Sequence, residues 1–155
     1  MSFARGLAVR PVFLLLSLAG LVPSLSRGQD RPHPVLPDTV PYVAVTHTPG
    51  AETKWLVGAG DKAGLYMFRN RFAPGTKAQP HSHPDTRFTY VLSGTLYVGF
   101  GRTFDPTKMR AIPTGAVYVA PARIPHFVWA KDGEVVFQET GLGPTATDFV
   151  ERRPP

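Results

Sequence analysis

The chain of 155 residues contains no cysteine, which excludes a disulfide framework, thiolate metal ligands, a thiol nucleophile and a lipid attachment site. It also has no long apolar run. The longest, Val12 to Val22, spans 11 residues and ends at Pro23, Ser24, Ser26 and Arg27. That is well short of the ~20 residues a helix needs to cross a bilayer. Clustered basic charge is missing too, with Arg69 and Arg71 the nearest approach to a cluster. A phosphate-gripping stripe, and with it nucleic acid as a partner, is therefore not expected. No window longer than ten residues keeps a 3.6-residue apolar period, so little helix is expected.

What is present begins with a leader. Residues 1–10 carry Arg5 and Arg10 without an acid, and the short apolar run and the small residues Ser24, Ser26 and Gly28 follow. This is the profile of a cleaved signal peptide over 1–28, with the mature start between Arg27 and Asp30. The expected location is periplasmic or secreted, with no membrane attachment after cleavage. Without the leader's three arginines the formal charge falls from +6 to +3, with 14 basic against 11 acidic residues. Pro32, Pro34, Pro37 and Pro41 mark residues 29–41 as a proline-rich surface arm, because each removes a backbone donor. One domain over 42–150 remains, within the usual size of a single core.

In that domain the apolar segments are short and rich in Val, Tyr, Phe and Thr: YVAVT, KWLVGA, GLYMFRNRF, RFTYVLSG, TLYVGFG, GAVYVAP, HFVWA and EVVFQET. Turn signals at Pro74-Gly75, Ser93-Gly94, Asp105-Pro106, Pro113-Thr114-Gly115 and Asp132-Gly133 separate them. Eight or more short strands so punctuated predict an all-β antiparallel sandwich or barrel.

His81 and His83 lie one residue apart on an extended stretch, so their side chains share one strand face. Two neutral imidazoles on an inward face supply half of a site for a divalent transition metal, with iron, copper, manganese, nickel and zinc all admissible. His126, opening a strand after the turn at Pro121 to Pro125, supplies a third ligand.

The punctuation around these histidines resembles the two-motif signature of the cupins, over about residues 64–141. Gly75, His81, His83 and Gly94 fit the first motif, and Gly115, Pro121 and His126 fit the second. The resemblance implies a cupin-like antiparallel β-barrel, or jelly roll, with metal held inside it. The chain departs from the pattern in three places: Arg87 stands at the glutamate position of the first motif, Arg123 at a glycine and Ala130 at the terminal asparagine.

The resemblance thus removes a carboxylate ligand and puts a fixed positive charge in its place. Some metal-dependent cupin dioxygenases are similar in using three histidines without the glutamate. An anion is expected to complete the site, such as a substrate carboxylate clamped by Arg87. The equal reading of Arg87 turns it toward solvent at the barrel mouth or pairs it with a carboxylate such as Asp85 or Glu139 in a structural ion pair. The expected function is an exported three-histidine metalloprotein, a dioxygenase-like oxidoreductase acting on a small organic acid. The alternative is a non-catalytic cupin that captures a small anionic ligand for sensing or sequestration.

His33 and His47 have no partner at ligand spacing and read as surface residues. Phe88 and Tyr90 alternate with Arg87, and Phe127 and Trp129 with His126, so these aromatics are expected on the face away from the metal. Tyr66, Phe68, Tyr97 and Tyr118 are candidates for pocket walls, with core filling as the default reading. Residues 42–46 are expected as an edge strand through which a second copy forms a homodimer.

Overall fold

The structure, a computed structural model, describes residues 34–150. The leader expected over 1–28 and the first residues of the arm lie outside the described residues. The described part of the arm folds into one 3-10 turn, Pro37–Thr39, and Lys54 donates to the Pro37 carbonyl oxygen at 2.7 Å. Among the described residues no helix is long and apolar enough to cross a membrane.

Eleven strands follow: β1 Val43–Ala44, β2 Ala51–Val57, β3 Gly64–Phe72, β4 Lys77–Ser82, β5 Arg87–Ser93, β6 Thr95–Phe100, β7 Arg110–Pro113, β8 Val117–Ala120, β9 His126–Trp129, β10 Val135–Gly143 and β11 Asp148–Phe149. They form two antiparallel sheets, a six-stranded one in the order β1-β2-β3-β10-β5-β8 and a five-stranded one in the order β11-β4-β9-β6-β7. This is the expected jelly roll. Alternation drives it: Tyr66, Phe68 and Phe72 on β3, Val91 on β5 and Val135 and Phe137 on β10 are buried, and their neighbours in sequence face out. The inner faces meet in a core where Phe72 and Phe137 pack edge to face at 5.0 Å. Burying each of these rings contributes roughly 1.5–3 kcal/mol.

The boundaries expected from sequence shift where tertiary pairing overrides composition. YVAVT pairs over only Val43 and Ala44, because the turn at Thr48 to Gly50 folds the chain straight back onto β2. β2 begins at Ala51 rather than Lys54, since the polar Glu52 and Thr53 pair with Arg71 and Asn70 of β3. β7 and β11, too short or polar to show a pattern, are recruited as edges. The turn Ser93-Gly94 forms as expected, with Gly94 at φ +78° and a Cβ there blocked by the Glu134 carbonyl oxygen.

The outer face of the five-stranded sheet is covered by the loop before β7, where Phe104 packs on Phe127 at 5.0 Å and Trp129 at 6.1 Å. Phe88 and Tyr90 point out from the other sheet, so all four aromatics lie away from the histidines, as alternation requires.

Candidate metal centre

The three histidines meet because of two strands and a bulge. β4 and β9 are antiparallel neighbours in which His81 lies directly opposite His126. The register between them shifts after Ala78, next to Pro80, which has no N–H to give to the ladder. Through this shift Ala78 and His81 both face the interior despite their odd spacing, and His83 follows one residue beyond the strand end. On the other side of β4, Phe149 of β11 pairs with His81, their rings 5.6 Å apart.

The turn between β8 and β9 closes on the same place. Arg123 adopts φ +62°, the conformation that its motif position reserves for glycine, and its N–H donates to the His83 carbonyl oxygen at 2.7 Å. The arginine therefore keeps the glycine's backbone shape, and the turn still delivers His126.

All three imidazoles are buried, and one ring nitrogen from each lies within 4.8 Å of the other two. Their Nδ1 atoms face backbone carbonyl oxygens: His81 at 2.6 Å from Gln79, His83 at 2.8 Å from Ala146 and His126 at 3.2 Å from Ile124. A carbonyl oxygen can only accept, so in the neutral rings Nδ1 carries the proton and each Nε2 keeps a free lone pair. The Nε2 of His83 is buried without a partner. An orphaned acceptor in a cluster of oriented imidazoles is what a bound cation would satisfy, so the donor set fits a divalent transition metal.

Burial keeps the histidines neutral. It pulls His81 down to about 4, helped by His126 and Arg87, and His83 to about 2, with Arg87 the next cause. His126 is lowered by burial against the raising effect of the Ile124 carbonyl and Glu139. The sign of the linkage follows. In the unfolded chain each histidine takes a proton near pH 6.5 and in the fold only well below it, so stability is full above pH 6.5 and lost as the pH falls. Each histidine contributes a slope of at most ~1.4 kcal/mol per pH unit. The urea midpoint of metal-free protein is expected to drop between pH 7.5 and pH 5, with a smaller drop for His81→Ala.

Arg87, the fixed charge beside this cluster, is buried and its charge is met inside the chain. Its Nη1 donates to Glu139 Oε2 at 3.3 Å, and its Nη2 to Thr145 Oγ1 at 2.8 Å and the Ala146 carbonyl oxygen at 3.1 Å. Asp85 Oδ1 lies 4.0 Å from its Nε. Of the two readings of Arg87, the ion pair is the one seen, and an external anion is not required to balance it. Tyr66 and Thr145 both donate to Asp85, and burial with that bond pushes the Tyr66 hydroxyl up to about 12, so it remains a donor. Gly141 makes room for this contact, since a Cβ there would meet both the Tyr66 hydroxyl and Asp85. The Ala146 carbonyl joins the two clusters because it accepts from Arg87 and from His83.

The histidines and Arg87 open on a cavity of about 280 Å³ with walls that include Trp55, Phe68, Phe72, Val128 and Phe137. Phe68 and Tyr118 line it as well, whereas Tyr66 is buried behind it and Tyr97 lies outside, bonded to Asp132. His47 is exposed, as expected, but lines the cavity together with Phe149. Two features were not anticipated from sequence. Asn70 donates to Glu139 at 3.4 Å, and its signal was available: it is a polar residue on the buried parity of β3 between Phe68 and Phe72. The segment Thr145 to Thr147 also lines the cavity, and nothing in its composition marks it.

Comparison with known proteins agrees with this geometry. Residues 68–138 match the family described as Cupin domain. Germin-like protein 5-1 of Oryza sativa subsp. japonica is 39% identical over 79 residues, 50% of this chain and 35% of that protein. The chain spans about a third of the length of the curated relatives it matches. Among solved structures, the polyketide cyclase RemF from Streptomyces resistomycificus superposes with a TM-score of 0.67 at 16% identity, covering 79% of this chain and 88% of RemF. An oxalate oxidase superposes with a TM-score of 0.55 at 26% identity, covering 69% of this chain and 59% of the oxidase. Jelly roll, motif spacing and family match together identify residues 68–138 as a cupin domain.

Proposed function

We propose that this chain is an exported, metal-dependent cupin oxidoreductase that acts on a small organic acid, with dioxygen as the oxidant and His81, His83 and His126 holding the metal. The observation that carries this reading is the buried, partnerless Nε2 of His83 beside two other imidazoles tethered through Nδ1. The likeness to an oxalate oxidase, named for a small dicarboxylic acid, supports both the chemistry and the substrate class. The leader profile of residues 1–28 supports export.

A redox-active divalent ion in such a site supplies Lewis acidity and electron transfer, with positions left open by the missing carboxylate ligand. The chain's own residues do the rest. Three neutral imidazoles leave the ion's positive charge uncompensated, which favours an acidic substrate. The Arg87–Glu139 pair neutralises itself, and Arg87 fixes the carbonyl that orients His83. Trp55, Phe68 and Phe137 exclude water from the substrate's carbon skeleton. Capture of an anion by Arg87 without catalysis has less support, because both of its Nη atoms are already engaged and its charge is paired with Glu139.

The test is metal analysis of the untagged protein, followed by oxygen uptake with oxalate, glycolate and larger monocarboxylic acids. Near-stoichiometric metal and uptake with at least one acid, both lost in His81→Ala, are expected. No metal after reloading with each candidate ion would overturn the reading. Metal without turnover of any acid would replace it with a binding protein.

A further inference from the structure

Strand register sorts the walls of the cavity along the barrel. His81 faces His126 across β4 and β9, and one step further along the same pair of strands Ala78 faces Val128. In the other sheet Glu139, which holds Arg87, pairs with Phe68, whereas Phe137 pairs with Asn70. The histidines, Arg87 and Glu139 therefore make a polar end. Ala78, Val128, Phe72 and Phe137 make an apolar end about two residues away, or ~6–7 Å along a strand. Asn70 is out of character there. It is only 8% exposed, lines the cavity and stands on β3 between Phe68 and Phe72. Its Nδ2 donates to Glu139 at 3.4 Å, and since a carboxylate only accepts, the orientation of the amide is fixed. No described residue donates to its Oδ1, which leaves an open acceptor on an otherwise apolar wall.

We propose that Asn70 is a specificity-determining residue, and that the acid bound in this cavity carries a ring-sized apolar body whose hydroxyl group donates to the Asn70 amide oxygen. The inference rests on the reading of the histidines as the acid-binding end. Volume sets the size of the body. An apolar cavity of ~150 Å³ holds one benzene molecule. A cavity of about 280 Å³ therefore has room for a ring together with a carboxylate and a short link. At ~30 Å³ for each liquid water it equals about nine waters, so an acid of two or four carbon and oxygen atoms would leave most of it wet against Phe72, Phe137 and Val128. Chemistry sets the hydroxyl. The Glu139 carboxylate already accepts from Arg87 and Thr89, so its charge is met without Asn70. An aliphatic residue would serve the wall of a purely apolar body better, whereas an amide oxygen there rejects a ligand that leaves it dry and unpaired.

The test is calorimetric titration without oxygen, so that nothing turns over, with acetate, phenylacetate and the three ring-hydroxylated phenylacetates. These acids share one carboxylate head, so their affinity ratios report the far end of the cavity rather than the histidines. Phenylacetate is expected to bind at least about tenfold more tightly than acetate, as burial of a ring requires. One hydroxy isomer is expected to bind about tenfold more tightly again. Asn70→Leu keeps the side-chain volume and removes the acceptor. It should abolish the preference for that isomer while leaving phenylacetate binding and metal content as in the wild type. Should this variant not fold, Asn70→Ala is expected to give the same loss of preference. Equal affinities for acetate and phenylacetate overturn the proposal, as does a protein that prefers no hydroxy isomer over phenylacetate. A preference that survives the loss of Asn70, or a weakening shared by all five acids, overturns the role of Asn70. Metal analysis judges the reading of the histidines separately. If no metal is retained, the same ratios measured on the metal-free protein decide the proposal, and binding of none of the acids overturns it.

Discussion

His126→Ala is expected to remove bound metal almost completely while leaving the jelly roll folded. His126 stands opposite His81 in the β4–β9 ladder, with ring centroids 4.4 Å apart, so its loss deletes one corner of the cluster and leaves two donors from a single segment. Structural zinc sites with four ligands bind with roughly 10–16 kcal/mol, which is about 2.5–4 kcal/mol per ligand. At ~1.4 kcal/mol per tenfold, dissociation constants should rise by about 10²–10³-fold for each histidine removed. Elemental analysis and calorimetric titration of His81→Ala, His83→Ala and His126→Ala should agree on that scale. His47→Ala, at the exposed rim, should bind as the wild type does. A His126→Ala protein that still holds stoichiometric metal would show that the three imidazoles do not form the site.

Arg87→Met should lower both stability and metal affinity, by two separable routes. Methionine keeps much of the side-chain volume but removes the charge that Glu139 and Asp85 share, and both carboxylates are held in the buried network around it. Deleting one partner of a buried ion pair costs ~3–5 kcal/mol because the other is left uncompensated. That is a large part of the 5–15 kcal/mol typical of a domain. A urea titration measures this loss, and adding Glu139→Gln should restore much of it, since the amide can still bond with Thr89 and Asn70 without a charge.

The second route runs through Ala146, whose carbonyl oxygen holds the Nδ1–H of His83 and is itself held by Arg87. Loosening a ligand's backing partner costs about 10–100-fold in metal affinity, so metal binding should remain weakened in the double variant even where stability returns. Full recovery of metal affinity along with stability would confine Arg87 to the ion pair.

The divide between what could be read in the chain and what could not follows the range of the interactions involved. His81 and His83 announce themselves locally, because a spacing of two on extended backbone sets both on one face whatever surrounds them. Gly94 and Gly115 mark turns by a backbone requirement of their own, at φ +78° and +85°. The alternation of Arg87 with Phe88 and of His126 with Phe127 is equally local, and it correctly separated the inward from the outward residues.

The charge on Arg87 was legible, but its partner was not. Whether it meets a ligand or Glu139 depends on β10 lying beside β5, a pairing 52 residues apart in the chain that no local pattern encodes. The lining by Thr145 and Ala146 likewise arises from a return of the chain after β10. The sequence by itself determined the central strands, the turns and the three imidazoles, because these rest on backbone geometry and side-chain parity, whereas the edges β7 and β11 came from pairing. Only the tertiary structure decided that Arg87 is neutralised from within and that its carbonyl partner steadies His83, because each depends on which distant strands become neighbours.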